Sequence, residues 1–245
     1  KTTTVTEQWN FNNIQSYDGL RPSSAAWHDV SYATNRVMMP KFDLRGMPAM
    51  ATAAQATAAG MTAVQGADFH MNHMFEDLDA ITSVGTTEDC SLILPADMGQ
   101  ANAVDMECMF RGCDRLEHVA LTDFIKHANE PFGESFRACP KLSTFTWTVT
   151  SVESATPNLR GLFMASGTAA STMTVKFIGA GGAIAPVNME SMFNGCTKLN
   201  SLDTTGLSTA SLPNNFVEVA ANGSGGTGDC GMNDMFTGCT ALFDK

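Results

Sequence analysis

Two short clusters hold the residue types that metal sites and acid–base catalysis use. The first is His70-Met-Asn-His73, followed by Glu76 and Asp77. Imidazole and carboxylate groups bind transition metals, and two histidines three residues apart lie on one side of a helix. These residues nevertheless occupy the variable positions of a repeat that is described below. We therefore expect a solvated surface here and no metal site.

The second cluster is Trp27-His28-Asp29, in which a histidine adjoins an acid. Ser/His/Asp catalysis needs partners that the fold brings together, and adjacency in sequence is no evidence of that. Gly179-Ala-Gly-Gly182 lacks the Gly-Lys-Ser/Thr that completes a phosphate-binding loop, so a turn is the better interpretation. The sequence thus predicts a protein that is not an enzyme, with no catalytic residues and no bound cofactor or metal.

The seven cysteines fall into two groups. Four of them follow a phenylalanine by three residues: Cys113, Cys139, Cys196 and Cys239. A buried cysteine behaves as a small hydrophobe, so we expect this group to fill a column of small core positions, with disulfides there the less favoured alternative. The others are Cys90, Cys108 and Cys230, and the sequence leaves open whether a disulfide joins two of them. No Cys-x-x-Cys is present, which argues against a zinc ribbon.

The phrase that places these cysteines is repeated along the chain. It reads Met/Leu-x-x-Met/Leu-Phe-x-x-Cys-x-x-Leu, and its phenylalanines are residues 75, 110, 136, 163, 193 and 236. The steps are therefore 35, 26, 27, 30 and 43 residues. A unit of about 26 residues lies in the leucine-rich-repeat range. The longer steps predict insertions near residues 85–103 and 206–231.

The periodicity changes within each unit. Met106, Met109, Phe110 and Cys113 lie at i, i+3, i+4 and i+7, which predicts a short helix. The tail Leu-x-x-Val119-x-Leu alternates at its end and predicts a short strand. One unit cannot bury its own apolar face, so the units must stack. The predicted fold class is α/β, a leucine-rich-repeat solenoid: a right-handed superhelix with a short strand and a short helix per repeat, and a parallel sheet on one face.

The phrases Asn188-Met-Glu-Ser-Met-Phe-Asn-Gly-Cys-Thr-Lys-Leu-Asn-Ser-Leu-Asp203 and Met232-Asn-Asp-Met-Phe-Thr-Gly-Cys-Thr-Ala-Leu242 resemble the repeat of the BspA-type leucine-rich-repeat surface proteins of bacteria. The resemblance covers roughly residues 70–245. It implies a secreted or surface-anchored bacterial protein that adheres to host or neighbouring-cell components. It implies no catalytic residues.

The first forty residues differ from the rest of the chain. They contain both tyrosines and two of the three tryptophans. We expect residues 1–40 to form an aromatic-rich cap on a solenoid that spans residues 41–245, because the end of a solenoid must hide an apolar face. The alternative is an aromatic platform for a glycan, built from Trp9, Trp27 and Tyr17.

Charge and hydropathy narrow the partners. The net charge is −11, and a negative surface repels nucleic acid and anionic membranes. No apolar stretch of about 18 residues is present, so the sequence predicts no membrane-spanning segment. The chain starts at Lys1 and not at a methionine, and we infer that a signal segment has been removed from an extracellular or cell-surface protein.

The predicted binding face is the strand side of the solenoid. Its outward positions are small and polar: His118, Thr144, Thr146, Ser201 and Asp203. Extended surfaces of this kind bind partners in repeat proteins. Few aromatic or arginine anchors are present, which favours weak or multivalent recognition. The sequence therefore predicts a non-catalytic adhesion module for host or bacterial surface proteins. The alternatives are a carbohydrate-binding surface protein that uses the N-terminal aromatics, and a structural spacer.

Overall fold

The computed structural model describes residues 42–43, 68–70, 72–78, 81–87, 89–94, 103–124, 128–150, 156–208 and 231–243. The predicted N-terminal cap and most of the predicted second insertion lie outside the described residues.

The described residues form a parallel sheet with very little helix. Eleven strands are present: β1 Phe42–Asp43, β2 Asp68–His70, β3 Ser83–Gly85, β4 Leu92–Ile93, β5 Ala103–Asp105, β6 His118–Thr122, β7 Ala128–Pro131, β8 Thr144–Val149, β9 Thr156–Asn158, β10 Met173–Gly179 and β11 Leu199–Asp203. The main sheet has seven strands in the order β1-β4-β3-β6-β8-β10-β11, and every pair in it is parallel. The parallel sheet predicted for one face of the protein is present.

The strand pattern follows the alternation in the sequence. In β6 the side chains of Val119 and Leu121 are buried, whereas His118, Ala120 and Thr122 are exposed. The longer β8 and β10 alternate in the same way. Because successive side chains of a strand point to opposite faces, each strand buries one face in the core and presents the other outward.

The predicted helix in each repeat is wrong. Residues 107–112, and their equivalents in the other units, form consecutive turns and not an α-helix. Among the described residues the only α-helix is α1, Thr240–Phe243. Within one turn segment the amides of Met109, Arg111 and Cys113 each bond to the carbonyl three residues earlier.

Two positive φ angles in every unit explain why no helix forms. They fall two residues before and two residues after the repeat phenylalanine, so Phe110 is flanked by Cys108 (φ 56°) and Gly112 (φ 72°). The same pair of positions is left-handed in all six units: His73 and Asp77, Cys108 and Gly112, Glu134 and Ala138, Gly161 and Ala165, Ser191 and Gly195, Asp234 and Gly238. A left-handed residue ends right-handed helical geometry, so left-handed residues alternate with right-handed ones and the segment forms a series of tight turns.

The alternation directs every second amide toward the next unit. The amide of Cys108 donates to Gly133 (3.0 Å), that of Phe110 to Ser135 (2.9 Å), and that of Gly112 to the carbonyl of Arg137 (2.9 Å). The same three bonds recur at all five junctions between successive turn segments, at 2.7–3.0 Å. We call this array the turn ladder. Together with the main sheet it ties each unit to its neighbour along two separate lines.

The first predicted insertion contributes to the sheet. β4 lies between β1 and β3, and Leu92 and Ile93 are fully buried. The side-chain oxygen of Ser91 accepts the amide of Ser83 (2.9 Å) and donates to its carbonyl (2.7 Å). This contact adds to the parallel backbone pairing of Val84 with Leu92 and of Gly85 with Ile93. The strand order therefore departs from chain order at this end.

The core is a stack of aromatic rings. The repeat phenylalanines form one continuous column, with ring centroids 5.2–6.1 Å apart and interplanar angles of 6–17°. Stacked rings contribute about 0.5–1.5 kcal/mol each beyond their burial. Trp147 is fully buried, as expected for a core residue, and meets the Phe132 ring edge-on at 5.6 Å.

The cysteine column is a line of hydrogen bonds as well as a packing position. The thiol of Cys139 donates to the carbonyl of Phe110 in the preceding unit (3.2 Å), and Cys196 bonds in the same way to Phe163 (2.9 Å). In the unit where serine replaces cysteine, the Ser166 hydroxyl donates to the carbonyl of Phe136. Small size alone was expected of this column. The structure adds a hydrogen bond from each of these side chains to the preceding unit.

Candidate binding surface

The outward side chains of the main sheet line up in rows that cross the strands. The first row runs through five strands: Ser83, His118, Thr144, Thr174 and Ser201. The second row lies two residues further along four of these strands: Ala120, Thr146, Lys176 and Asp203, with the buried Gly85 beside Ala120 on β3. A shorter third row follows, made of Thr122, Thr148 and Ile178. Together these three rows are called the outward face.

All five residues predicted to form the binding face lie on the first two rows. His118, Thr144 and Ser201 are exposed, and Thr146 and Asp203 are partly exposed. The register places Thr144 directly between His118 and Thr174. The predicted residues are therefore neighbours on one surface.

Thr174 and Lys176 belong to the same rows, but they were not among the residues predicted for the binding face. The sequence does indicate both positions, because Met173-Thr-Val-Lys-Phe177 alternates apolar and polar residues in the manner of the neighbouring strands. The strand follows a weaker copy of the repeat phrase, Leu159-Arg-Gly-Leu-Phe-Met-Ala-Ser166, in which Ser stands at the Cys position.

Hydrogen bonds connect side chains across the first row. The Nδ1 atom of His118 lies 2.9 Å from the Thr144 hydroxyl, and the Ser143 hydroxyl donates to the Glu117 carbonyl at 2.9 Å. The His118 Nε2 atom lies 3.9 Å from a Glu117 carboxylate oxygen. These contacts hold the imidazole in place and leave its ring face toward solvent, since His118 is exposed.

Opposite charges meet at one end of the second row. The Thr205 amide donates to the Asp203 carboxylate at 2.9 Å and, with the Thr205 hydroxyl, lowers the pKa of Asp203 below its usual value. Lys176, its register partner on β10, lowers that pKa further. Asp203 therefore remains ionised over the physiological range, and this end of the face presents a cation beside an anion.

The spacing of the outward face suits a repetitive partner. Neighbouring strands lie about 4.8 Å apart, and alternate residues along a strand lie about 6.7 Å apart. Hydroxyl groups of threonine and serine both donate and accept hydrogen bonds. The face can thus form many equivalent polar contacts, each of modest strength.

Two of the residues considered as metal ligands, His73 and Glu76, contact each other and form part of a charged network. His73 Nδ1 lies 2.5 Å from a Glu76 carboxylate oxygen, and the other Glu76 oxygen accepts the Arg111 Nε–H at 2.7 Å. Arg111 also lies 3.8 Å from Glu134, which accepts a bond from Arg137 at 2.8 Å. These charges run along the outside of the turn ladder. Among the residues that the structure describes, no group of three or more His, Cys, Asp or Glu is placed to hold a metal ion.

Cys108 lies inside this charged line but is not activated. Its thiol is 3.5 Å from Arg111 Nη1 and 3.9 Å from a Glu134 oxygen, and only 4% of the residue is exposed. Burial raises the pKa of Cys108 to about 11, although Arg111 opposes the shift. The thiolate is the nucleophile, so this cysteine is inert at neutral pH. All six described cysteines are free thiols, which excludes a disulfide between Cys90 and Cys108, while Cys230 lies outside the described residues.

The other motifs considered as sites lie either outside the described residues or at the end of β10. The aromatic platform of Trp9, Tyr17 and Trp27 lies outside the described residues, as does His28. Gly179 ends β10, and residues 180–181 form the bend that follows it, as expected of a turn.

No family model, no curated protein and no solved structure matches this chain. Within the described ranges, no helix has the length and apolar character needed to cross a membrane.

Proposed function

We propose that the protein is a non-catalytic interaction module, a leucine-rich-repeat solenoid of the BspA type, that binds surface proteins of a host or of neighbouring cells. The observation that carries the proposal is the outward face, in which polar side chains stay in register across five parallel strands. A solenoid with such a face binds its partner through many small contacts. The proposed place of action is outside the cell.

The chemistry of the face sets the kind of complex it forms. Hydroxyl groups, one imidazole and one cation–anion pair offer hydrogen bonds but few desolvated aromatic anchors, and such anchors carry most of the energy of tight complexes. The proposed complexes are therefore weak for a single module. Several modules on one surface would raise the overall affinity by increasing the effective concentration.

The test is a binding screen against host matrix proteins, bacterial surface proteins and glycans, with the purified chain displayed at high density. The decisive variant is Thr144→Arg with Thr146→Arg, which puts two large cations at the centre of the face. It is expected to weaken binding by at least about tenfold, because long charged side chains block the flat surface and alter its charge pattern.

The matched control is Thr168→Arg with Ser171→Arg. Both residues are exposed and lie in the connection before β10, so the pair adds the same charge away from the strands. Binding that survives the control but not the face variant supports the proposal. Equal loss in both variants, or no ligand above background, contradicts it. A structural spacer would give the second result.

A further inference from the structure

A row of basic side chains crosses the units beside the outward face. In four successive units a fully buried side chain lies at or just before the start of the strand: Leu116, Leu142, Met173 and Leu199. The residues that stand immediately before them are all exposed: Arg115, Lys141, Thr172 and Lys198. We call these four residues the cation row. Three of its four positions therefore carry a positive charge.

The cations of the row have no acidic partner within the described part of the chain. The described arginines of the turn segments are each paired with a glutamate: Arg111 with Glu76, Arg137 with Glu134 and Arg160 with Glu190. Arg115, Lys141 and Lys198 form no such ion pair with any described residue. In a chain with a net charge of −11, acids are plentiful. Cations that stay unpaired at one repeat position therefore indicate an anion supplied by another molecule.

The surroundings of the row are acidic only at its first unit. Asp114 and Glu117 flank Arg115, and both are exposed. The residues on either side of Lys141, Thr172 and Lys198 are uncharged. Hydroxyl groups stand beside these three positions, on Ser143, Ser171 and Thr197. The stretch from Lys141 to Lys198 thus combines positive charge with hydroxyl groups.

We propose that the cation row binds a linear acidic polysaccharide, one whose sugars carry carboxylate or sulfate groups. Neighbouring strands lie about 4.8 Å apart, so Arg115 to Lys141 is a step of about 5 Å and Lys141 to Lys198 a step of about 10 Å. A polysaccharide of this class repeats its anions along a line and carries hydroxyl groups between them, as the row does with its cations. The cation row and the outward face use different side chains, and the two proposals stand independently.

Charge density and composition favour this ligand over other polyanions. Duplex nucleic acid carries one charge per about 1.7 Å of its axis, and the rest of this acidic protein repels so dense an anion. An acidic peptide brings no hydroxyl groups and loses backbone freedom when it is ordered. A polysaccharide with an anion on every sugar or every second sugar matches three cations with little excess charge. The attraction is local, because charges act over about 10 Å at about 0.1 M salt.

The test measures the affinity of the full chain for heparin and hyaluronate oligosaccharides by calorimetry at low salt. Heparin carries sulfate and carboxylate groups and hyaluronate carries only carboxylate, so the two ligands distinguish the two anions. Lys141→Gln with Lys198→Gln should weaken binding by about four- to twentyfold, because each exposed ion pair contributes roughly two- to fivefold. The matched control, Lys141→Arg with Lys198→Arg, keeps both charges and should retain the affinity.

A gain of affinity provides a test that unfolding cannot imitate. Thr172 occupies the uncharged position between Lys141 and Lys198, so Thr172→Lys completes the row and should tighten binding by roughly two- to fivefold. The control is Thr122→Lys. It adds the same charge at an exposed threonine on the third row of the outward face, away from the cation row, and should leave the affinity unchanged.

Three results would overturn the proposal. The first is no binding of either oligosaccharide at about 1 mM, the weak limit for a useful contact. The second is an equal loss in the glutamine and arginine double variants, or an equal gain from lysine at residues 122 and 172. The third is tighter binding of a glutamate peptide or of single-stranded DNA with the same number of charges, which would make a peptide or a nucleic acid the ligand.

Discussion

Substitution at Cys139 separates two explanations of the cysteine column. Cys139 is fully buried and its thiol donates to the Phe110 carbonyl at 3.2 Å. If only size matters, serine should be worse than alanine at this position, because a buried hydroxyl without a partner costs about 1–3 kcal/mol. If the donor matters, serine should be better than alanine, as its presence at the equivalent position 166 suggests.

The expected magnitudes follow from these contacts. Cys139→Ala loses one hydrogen bond, worth about 1 kcal/mol, and the buried sulfur, worth about another 1 kcal/mol. The Phe110 carbonyl keeps the amide of Cys113 at 3.3 Å, which limits the loss to a total of about 2 kcal/mol. Cys139→Ser keeps the donor and gives up the contacts of the sulfur, so it should cost about 1 kcal/mol or less.

The assay is urea unfolding under reducing conditions, followed by the fluorescence of buried tryptophan, with the slope of the transition compared between variants. Each kcal/mol should also lower the melting temperature by about 2–4 °C in a chain of this size. The reciprocal pair is Ser166→Cys and Ser166→Ala. Ser166 also accepts the Cys139 amide at 3.0 Å, so alanine should cost about 2 kcal/mol and cysteine less. A serine variant at residue 139 that is less stable than the alanine variant would refute the donor explanation.

Three further predictions concern the backbone and pH. Ala138→Gly should raise the free energy of unfolding by about 1 kcal/mol, because Ala138 has a φ of 55° that glycine adopts without strain. A loss of stability in the same urea assay would contradict this prediction. Gly85→Ala should lower the free energy of unfolding by about 2 kcal/mol or more, as an overpacked core does. The reason is that the added Cβ would lie 2.6 Å from the Ala120 carbonyl oxygen. An unchanged melting temperature would show that β3 can shift freely. Burial raises the pKa of the Cys139 and Cys196 thiols to about 12, above the usual value of about 9. The neutral thiols therefore stabilise the folded state fully below pH 9, and this stabilisation is lost as the pH rises toward 12. Each thiol should add about 1.4 kcal/mol per pH unit to this loss. Replacing both cysteines by serine should therefore flatten the dependence of unfolding free energy on pH between about pH 9 and 11. An unchanged slope would contradict the raised thiol pKa values.

The strands could be predicted from the sequence because alternation reports directly on burial. Val119 and Leu121 stand at alternate positions and are buried as expected, whereas Leu202 in β11 is only partly buried. The parallel sheet also followed from the short repeat, since equivalent strands in stacked units run the same way. The binding-face residues were found for the same reason, because an outward position in a strand is simply the complement of an inward one.

The turn segments could not be predicted from the same kind of pattern. Met106, Met109, Phe110 and Cys113 are all fully buried, as a helix would have them, so the spacing of apolar residues fits either structure. The residue that distinguishes a turn from a helix here is glycine, which a pattern of apolar spacing does not take into account. Glycine stands two residues after the phenylalanine in three of the six units, and a glycine at a fixed position argues against a helix interior.

Two other features depended on contacts that a single sequence does not reveal. The donor role of the cysteine column requires the carbonyl of the preceding unit, and only Ser166 hinted that a hydrogen bond was needed. The strand at Leu92–Ile93 lies within a segment that broke the repeat spacing, and its link to β3 is held by Ser91 and not by a regular turn. In both cases the partner lies in another part of the chain.

The direction of the turn ladder gives the molecule an electrical axis. In the main sheet the backbone bonds point both ways along the stack, since Thr174 donates backward to Ser143 while Met173 donates forward to Lys198. In the turn ladder all fifteen bonds at the five junctions point forward. Aligned amides sum to a macrodipole, as they do along an α-helix, and here its positive pole points toward the later units and its negative pole toward the earlier ones. In a strongly acidic chain the backbone thus sets a polarity along the stack, and each added unit strengthens it without adding a single charged side chain.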